Sequence, residues 1–298
     1  MKYQNILQTI GNTPVVKINR LNPNNKVNIF VKLEGQNSGG SVKDRPAEFM
    51  IEQAEKTGEL TSDKIILEAT SGNTGIGLAL VAAVKGYKTK IVMSAGASKE
   101  RKQILKLLGA DIIETPAKLG TDGSIKKVRQ MFEENPKLYW VPNQFDNQNN
   151  TKVHFVETAK EIIEQVPEIT AFVAGIGTSG TLMGVSKKLK KYNHKIQIVG
   201  IESDYDKGVP GLKNLQKSIV PKIYNQTQID KNIVVNVEHA YRTVKLLARK
   251  EGILAGLSSG AAMYVALQIA KQIDSGNIVV LFPDRIERYL SLDIFEER

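Results

Sequence analysis

The chain has 298 residues, of which 41% are hydrophobic, enough to bury one large core or two ordinary ones. It contains no cysteine, which excludes disulfides, thiolate metal sites and a cysteine nucleophile, and its three histidines lie too far apart in sequence to suggest a metal site. The formal charge is +10, but the lysines are dispersed and are not interleaved with aromatic residues, so we expect no nucleic-acid partner.

The first half of the chain alternates between strand and helix patterns. A short strand over 15–18 can pair with a second over 28–33, and a helix that follows Lys43 is expected to end at Gly58. Ser98 is expected to cap a later helix with its hydroxyl. The remaining strands are expected over 64–68, 89–93, 111–114 and 138–141, and the remaining helices over 75–83, 98–108 and 124–134.

The alternation resumes after a break near 144–150. Strands are expected over 171–174, 197–201, 233–235 and 277–281, and helices over 152–165, 182–191, 238–251 and after Gly260. The stretch 203–230 is irregular, and connections of this length are usually functional or mobile. Strands that alternate with helices imply parallel sheets, so we predict an α/β fold of two open, twisted parallel-sheet domains with an active-site cleft between them.

One lysine, Lys43, lies between a glycine pair and the start of a helix. Gly39 and Gly40 let the backbone approach a ligand closely, and the positive potential of a helix N-terminus disfavours the ammonium form of a nearby lysine. A neutral lysine can form a Schiff base with an aldehyde cofactor. The alternative is a solvated lysine in a turn, and only the motifs that follow argue against it.

A second motif, Thr70-Ser71-Gly72-Asn73-Thr74-Gly75, joins a predicted strand to a buried helix. Ligands of open α/β sheets bind at the carboxyl ends of the strands, where this motif lies. Its hydroxyls, its amide and the N–H groups of the helix start suit a carboxylate. The alternative is a capping turn, since serine, asparagine and glycine are ordinary turn residues.

A third motif, Gly175-Ile176-Gly177-Thr178-Ser179-Gly180-Thr181, again joins a strand to a helix and is typical of a phosphate site. Its glycine spacing also matches that of dinucleotide sites, with Glu202 near the expected acidic position, so an NAD site is an alternative. A fourth motif, Ser258-Ser259-Gly260, offers a hydroxyl to a heteroaromatic nitrogen or serves only as a helix cap. Together the four motifs describe a pyridoxal 5'-phosphate site.

These motifs, with Ile10-Gly11-Asn12-Thr13-Pro14 near the start and the segment 283–291 near the end, resemble the cysteine synthase and cystathionine β-synthase family. The resemblance covers nearly the whole chain in order and spacing. It implies the fold-type II architecture of pyridoxal-phosphate enzymes, which is similar to the tryptophan synthase β subunit. It also implies a smaller mobile domain over 37–145 that carries the carboxylate loop, and a larger domain over 1–36 and 146–298 that binds the cofactor phosphate.

The resemblance assigns a role to each motif. Lys43 would form the Schiff base with the cofactor and move the Cα proton, and Asn73 would bond the phenolic oxygen of the cofactor. Ser258 would meet the pyridine nitrogen, which a neutral hydroxyl leaves unprotonated and which therefore favours β-elimination. The substrate carboxylate would be held by Thr70, Ser71, Gly72, Thr74 and Gln144, and the cofactor phosphate by Gly177, Thr178, Ser179, Gly180 and Thr181.

The implied reaction is β-replacement at a serine- or cysteine-type amino acid through an aminoacrylate, with cysteine synthesis from an activated serine and sulfide as the main hypothesis. The alternative enzyme consumes L-cysteine, releases hydrogen sulfide and forms L-serine or lanthionine. The segment 209–215 replaces the glycine-rich loop of the major O-acetylserine enzymes, so Lys213 could meet an anionic leaving group. Asp230 could activate water as a base. A surface lysine and a plain turn residue are the respective alternatives.

The remaining expectations concern partners and location. The resemblance implies a homodimer that acts on small amino acids with sulfide or another thiol. No apolar run reaches the length of about 18 residues that spans a membrane, and the start of the chain lacks the apolar core of a signal peptide. We therefore expect a cytoplasmic enzyme with no membrane partner. A third hypothesis, a catalytically idle homologue that only binds a partner, conflicts with the intact Lys43, Asn73 and Ser258.

Overall fold

The computed structural model describes residues 2–292, and these form two compact units. Within the described part, the first unit comprises 2–10, 37–150 and 288–292, and the second comprises 11–36 and 151–287. The units therefore differ from the predicted domains in joining 2–10, 146–150 and 288–292 to the first unit. The mobility and the binding roles assigned to the two domains stay predictions.

The first unit contains a sheet of four parallel strands in the order β5-β4-β3-β6. Four helices accompany the strands. In chain order these elements are α1 (Asp44–Thr57), β3 (Ile65–Ala69), α2 (Asn73–Lys85), β4 (Lys88–Ser94), α3 (Lys99–Leu107), β5 (Asp111–Thr115), α4 (Gly120–Glu134) and β6 (Tyr139–Trp140), with β1 and β2 preceding them in the second unit.

The second unit contains a sheet of six strands in the order β1-β2-β10-β7-β8-β9. Only the β1–β2 pair is antiparallel, as the two opening strand patterns allowed. Its elements are β1 (Val15–Ile18), β2 (Val27–Leu33), α5 (Gln148–Val153, which begins in the first unit), α6 (Ala159–Gln165), β7 (Ile169–Gly175), α7 (Gly180–Tyr192), β8 (Gln197–Ser203), β9 (Lys231–Val235), α8 (Val237–Leu246), α9 (Leu257–Gln272) and β10 (Gly276–Phe282).

Apolar side chains cover both faces of the four-stranded sheet. Ile66 packs with α1 and α2 on one face, whereas Leu67 packs with Val128 and Met131 of α4 on the other. Successive residues of a strand point to opposite faces, so a sheet covered by helices on both sides requires apolar residues on both faces of β3, which are present at every position of that strand except Glu68. The α/β fold with parallel sheets that the alternation predicted is confirmed.

Two helices differ locally from their predictions. The predicted helix over 152–165 is interrupted by a π-helical turn over His154–Thr158, and α8 continues into a second π-helical turn over Leu247–Glu251. The expectation that Ser98 caps α3 is wrong, because its hydroxyl donates instead to the backbone oxygen of Arg288 at 3.0 Å. Among residues 2–292, none of the helices combines the length and the apolar character needed to span a membrane.

Candidate active site

Lys43 occupies the position before α1, in a tight loop that its neighbours hold together. The Asp44 carboxylate, at the first position of the helix, accepts from the N–H of Gly39 at 2.8 Å and from the N–H of Ser41 at 3.4 Å. The Lys43 N–H donates to the Ser41 hydroxyl at 3.2 Å. The backbone at Lys43 is therefore fixed, while its side chain is half-buried.

The glycine pair in this loop has a different reason from the predicted approach of a ligand. Gly40 has a φ of +81°, a left-handed conformation that favours glycine. At Gly39 a Cβ atom would lie 2.6 Å from the Asp44 carboxylate. The two glycines thus let the chain fold tightly around Asp44, which sets the direction in which Lys43 leaves the helix start.

Arg288 is a buried residue of this site to which the sequence analysis gave no role. Its guanidinium donates to the side-chain oxygen of Asn73 and to the backbone oxygen of Gly39, so it joins the lysine loop to the start of α2. The side chain of Asn73 is therefore oriented by Arg288 through its amide oxygen. The contact spans 215 residues of sequence, and no local pattern could have revealed it.

The motif Thr70–Gly75 lies between β3 and α2, as predicted. The Thr70 hydroxyl accepts from the N–H of Gly72 at 3.2 Å, and the Ser71 hydroxyl accepts from the N–H of Ser94 at 3.0 Å. Neither hydroxyl donates a hydrogen bond within the described part of the chain. Each therefore keeps a hydrogen that can be donated to an anion at the start of α2.

Thr74 and Gln144 continue this motif inward as a buried chain of hydrogen bonds. The Thr74 hydroxyl donates to the Gln144 side-chain oxygen at 2.6 Å. The Gln144 NH₂ group donates to the backbone oxygen of Ala69 at 3.3 Å and to the Glu68 carboxylate at 3.4 Å. The structure thus brings together all the residues predicted to hold the substrate carboxylate, but both ends of the Gln144 amide are already engaged within the protein.

The motif Gly175–Thr181 leads from β7 into α7 and forms a cup that fits a phosphate. Ser179 has a φ of +73°, rare for a residue other than glycine, and its buried hydroxyl has no hydrogen-bond partner among the described residues. A strained residue with an unpaired buried hydroxyl at a helix N-terminus is what an absent anion would leave behind. The arrangement therefore fits the phosphate that the sequence motif predicts.

Two neighbours support the cup from behind. The Thr181 hydroxyl lies 3.2 Å from Nε2 of the buried His154, whose Nδ1 lies 2.9 Å from the Thr158 hydroxyl. A Cβ atom on Gly177 would lie 2.8 Å from the backbone oxygen of Gly211, so only glycine admits the 209–213 segment at this distance. The π-helical turn thus serves to place His154 beneath the phosphate loop.

Lys213 belongs to the segment that packs on this cup. Its N–H donates to the backbone oxygen of Ile176 at 2.7 Å, and its own backbone oxygen accepts from Ser203 at 3.0 Å. Its ammonium donates to the backbone oxygen of Ile219 at 3.2 Å. The structure therefore brings the backbone of Lys213 to the phosphate motif, while its ammonium contacts the backbone of its own loop.

Ser258 lies in the first turn of α9, where it is buried and makes no capping hydrogen bond. Its hydroxyl has no hydrogen bond to any of residues 2–292. A hydroxyl that does not cap the helix has its hydrogen available for the predicted contact with a heteroaromatic nitrogen. The buried hydroxyl without a partner in this motif is that of the neighbouring Ser259.

Asp230 is not brought to any of these motifs, and its proposed role as a base is not supported by its position. Its carboxylate accepts from the N–H of Ile198 at 2.7 Å and pairs with Lys190 at 2.7 Å. Ile198 stands at the amino end of β8, whereas the phosphate motif follows the carboxyl end of the neighbouring β7. Ile198 aligns with Phe172, three residues before the motif begins at Gly175, so roughly 10 Å of strand separates the two levels.

Glu202, the acidic residue of the alternative NAD interpretation, is also engaged elsewhere. Its carboxylate accepts from the N–H of Leu215 at 3.0 Å and from the Asn232 side chain at 2.8 Å. It therefore ties the irregular 203–230 stretch to the sheet, and the dinucleotide interpretation loses the residue that would bind a ribose.

Comparison with known proteins agrees with this geometry. A family model described as pyridoxal-phosphate dependent enzyme matches residues 6–284. A cysteine synthase of Aquifex aeolicus is 42% identical over 99% of this chain and 93% of its own length.

Two solved structures are similarly close. The cysteine synthase of Entamoeba histolytica superposes with a TM-score of 0.94 at 37% identity, covering 100% of this chain and 92% of that one. A hydrogen sulfide-producing enzyme of Fusobacterium nucleatum superposes with a TM-score of 0.92 at 39% identity, covering 97% and 100%. The resemblance stated from the motifs is confirmed, and so is the cofactor that it implied, pyridoxal phosphate. The chain therefore belongs to the family of pyridoxal-phosphate dependent enzymes and is related within it to the cysteine synthases.

Proposed function

We propose that the protein is a cysteine synthase that replaces the β-substituent of an activated serine with sulfide and releases L-cysteine. The observation that carries the proposal is the near-full-length similarity to cysteine synthases, because it includes every motif of the candidate site. The unpaired hydroxyl of Ser179 supports the same assignment, since a phosphate would give it a partner.

The cofactor, when bound, supplies an electron sink that allows the substrate to lose its Cα proton and then its β-substituent. Lys43 would attach the cofactor and hold or move that proton. Asn73 would bond the phenolic oxygen of the cofactor, with its side chain oriented by the hydrogen bond from Arg288. The loop Gly177–Thr181 would hold the phosphate, and Ser258 would leave the ring nitrogen unprotonated.

The motif Thr70–Gly75 would orient the amino acid through its carboxylate. Thr70 and Ser71 have hydroxyl hydrogens available for this purpose, whereas Gln144 supports Thr74 from within. An amino acid fixed at its carboxylate presents its Cα proton in one direction, which is what a single lysine acting as acid and base requires.

A second candidate function is the cysteine-consuming reaction that releases hydrogen sulfide. The similarity to the Fusobacterium nucleatum enzyme, whose described activity is sulfide production, favours it. The position of Asp230 counts against the version in which that carboxylate activates water, because Asp230 pairs with Lys190 at the amino end of β8. The synthase direction therefore stands as the main proposal.

Stopped-flow spectroscopy of the holoenzyme distinguishes the two directions. We expect O-acetylserine or O-phosphoserine to change the visible absorbance of the cofactor, and added sulfide to restore it with formation of one cysteine per site. Rapid and sustained sulfide release from L-cysteine alone would replace the synthase proposal with the second candidate. If none of the three amino acids changed the spectrum, the assignment of the site would be wrong.

Two variants serve as a matched pair in this assay. Lys43→Ala removes the proposed proton carrier and should lower turnover by about 10³-fold or more, as the loss of a central acid–base group does. Lys56→Ala changes an exposed lysine near the end of the same helix and should leave turnover unchanged.

Two further expectations from the resemblance are kept as proposals. We propose that the protein is a homodimer, which sedimentation equilibrium of the holoenzyme would test. The cytoplasmic location, predicted from the lack of a signal-peptide pattern, is proposed on the same sequence grounds, and fractionation of the source cells would test it.

A further inference from the structure

Glu68 is a buried carboxyl group to which the proposed reaction gives no role. It lies in β3, two residues before the carboxylate loop begins, and only 2% of it is exposed. One of its oxygens accepts from Gln144 at 3.4 Å, and the other has no hydrogen-bond partner in the described part of the chain. A buried polar atom left without a partner calls for an explanation.

The hydrogen bonds around Glu68 lead directly to the loop. The Gln144 NH₂ group has two hydrogens, and the acceptors that face it are the Glu68 carboxylate and the Ala69 backbone oxygen. The amide oxygen of Gln144 must then point to Thr74, whose hydroxyl donates to it at 2.6 Å. Glu68 is thus separated from the hydroxyl of Thr74 by one amide group and two hydrogen bonds.

Two helices, α1 and α2, cover the side of the sheet on which Glu68 stands. The charged residues of α1 are Asp44, Arg45, Glu48, Glu52, Glu55 and Lys56, of which Asp44 and Arg45 are buried. The helix α2 carries one charged residue, Lys85, which pairs with Glu55 at 2.8 Å. On β4 the lysines Lys88 and Lys90 align with Ile65 and Leu67, so their side chains stand on the opposite face.

Two charged residues remain nearby, and the strand on the other side of β3 adds none. The two residues of β6 are Tyr139 and Trp140. In the turn that carries Gln144, Asp146 accepts from the side chain of Asn143 at 3.4 Å. Beyond the loop, the guanidinium of Arg288 is engaged with Asn73 and Gly39. Among residues 2–292, the side chain that is hydrogen-bonded to the Glu68 carboxylate is thus the neutral amide of Gln144, and no cation forms an ion pair with it.

We propose that Glu68 is a positioning residue that orients Gln144 and Thr74 for the substrate carboxylate, and that it takes up a proton when a carboxylate binds to the Thr70–Gly75 loop. This inference rests on the proposed function, because it takes that loop as the carboxylate site. Glu68 does not touch the substrate; it acts through the Gln144 amide.

The physical reason is the repulsion between two negative charges in a buried region. Two unit charges about 8 Å apart, at an effective dielectric constant of about 20, change a binding constant by an order of magnitude or more. Burial already raises the pKa of Glu68 to about 7, while the Gln144 side chain and nearby backbone amides offset part of the effect. A carboxylate that arrives in the loop raises this pKa further, so binding and protonation favour each other.

Calorimetric titration of the holoenzyme with propionate tests the proposal. Propionate has no amino group and no leaving group, so it can occupy a carboxylate site without reacting with the cofactor. Its own charge is constant between pH 6 and pH 8.5, well above the usual range of carboxyl pKa values of about 4 to 5. We expect its Kd to be about tenfold lower at pH 6 than at pH 8.5, with proton uptake revealed by different heats in two buffers of unlike ionisation enthalpy.

The variants separate the possible outcomes. Glu68→Gln should abolish both the pH dependence of Kd and the proton uptake, whereas Glu114→Gln, on β5 of the same sheet, should retain both. Glu68→Asp should restore the proton uptake in part. If wild type bound propionate without proton uptake, or if Glu68→Gln took up the same number of protons, the proposal would be overturned while the carboxylate site stood.

Two other results would show that the Thr70–Gly75 loop does not bind a carboxylate at all. If propionate did not bind to wild type, or bound equally well to Thr70→Val, the loop would not be the carboxylate site, and the inference would fall together with that part of the proposed function. Should Glu68→Gln fail to fold, the proton uptake of wild type still decides. In steady-state assays of the folded variant, the KM for the amino-acid substrate should rise more than kcat falls, since Glu68 acts on binding.

Discussion

At the scale of single residues, the phosphate loop holds Ser179 in a backbone conformation that serine does not favour. Ser179 adopts a left-handed backbone conformation that costs free energy in any residue with a Cβ atom, and it also buries an unpaired hydroxyl. Glycine would remove both costs. The serine is understandable if its hydroxyl donates to a phosphate, because a hydrogen bond to a charged group contributes about 1.5–3 kcal/mol.

Replacing this serine should therefore weaken cofactor binding. We expect Ser179→Ala to raise the Kd for pyridoxal phosphate by roughly 10- to 100-fold, as the loss of one hydrogen bond to a charged phosphate implies. Equilibrium dialysis followed by absorbance of the bound cofactor measures this. Ser186→Ala is the matched control, because that buried hydroxyl of α7 donates to the backbone oxygen of Met183. If Ser179→Ala and wild type bound pyridoxal phosphate with equal affinity, the Ser179 hydroxyl would not be a phosphate ligand.

At the scale of secondary-structure elements, close packing of helices places the Ser258 motif. Gly260, in the first turns of α9, faces the backbone of Ala240 in α8, and a Cβ atom there would also lie 2.6 Å from a methyl group of Val244. The motif therefore has two roles. Gly260 lets α8 and α9 approach each other closely, and Ser258 is proposed to contact the cofactor. The π-helical turn before α6 has a comparable role, since it places His154 beneath Thr181.

Adding one methyl group at this helix contact should destabilise the fold. Gly260→Ala gains about 1 kcal/mol of helix propensity, but overpacking against a backbone carbonyl typically costs about 1–3 kcal/mol or more and cannot be relieved by a side-chain rotation. We expect a net loss, seen as a lower urea midpoint. In Gly96→Ala the new Cβ would meet only atoms 3.6 and 3.7 Å away, so that variant should unfold like wild type. A stabilised Gly260→Ala would contradict the packing described here.

At the scale of the whole molecule, the charge of +10 affects stability at every pH, but one buried group gives a distinctive signature. The pKa of Glu68 is about 7 in the folded protein and near 4.5 when the residue is exposed. The folded state therefore holds this proton more tightly than the unfolded state does. As pH rises from the lower value through the higher one, stability is lost, and the loss is complete above the folded pKa.

The comparison of wild type with Glu68→Gln isolates this effect from the other charges. A shift from 4.5 to about 7 corresponds to a loss on the order of 3 kcal/mol at alkaline pH. Part of this loss has already occurred at pH 5.5, one unit above the lower pKa. Relative to wild type, Glu68→Gln should thus be more stable at pH 8.5 than at pH 5.5 by about 2 kcal/mol. Urea unfolding of both proteins at the two pH values measures the difference. Curves that stayed parallel at both values would show that the folded protein does not hold Glu68 protonated near neutral pH.

Much of the fold followed from local patterns in the sequence. The strands and helices were predicted within a few residues, because apolar periodicity and the flanking glycines act over one element at a time. For example, Gly58, which was predicted to end the first helix, does so in a left-handed conformation. The π-helical turns were not predicted, since they depend on what packs beneath the helix.

What the sequence alone determined was the chemistry available: the lysine loop, two anion-binding loops at helix starts, and a serine at the start of α9, in an order that also identified the family. Only the tertiary structure decided which distant side chains meet. Hydrogen bonds join Ser98 to Arg288, Arg288 to Asn73 and Gln144 to Glu68. Asp230 lies near the amino end of β8, away from the carboxyl ends of the strands where the motifs lie. The reason is physical: a motif is made by neighbours along the chain, whereas the partners of a buried polar group are selected by packing between segments far apart in sequence.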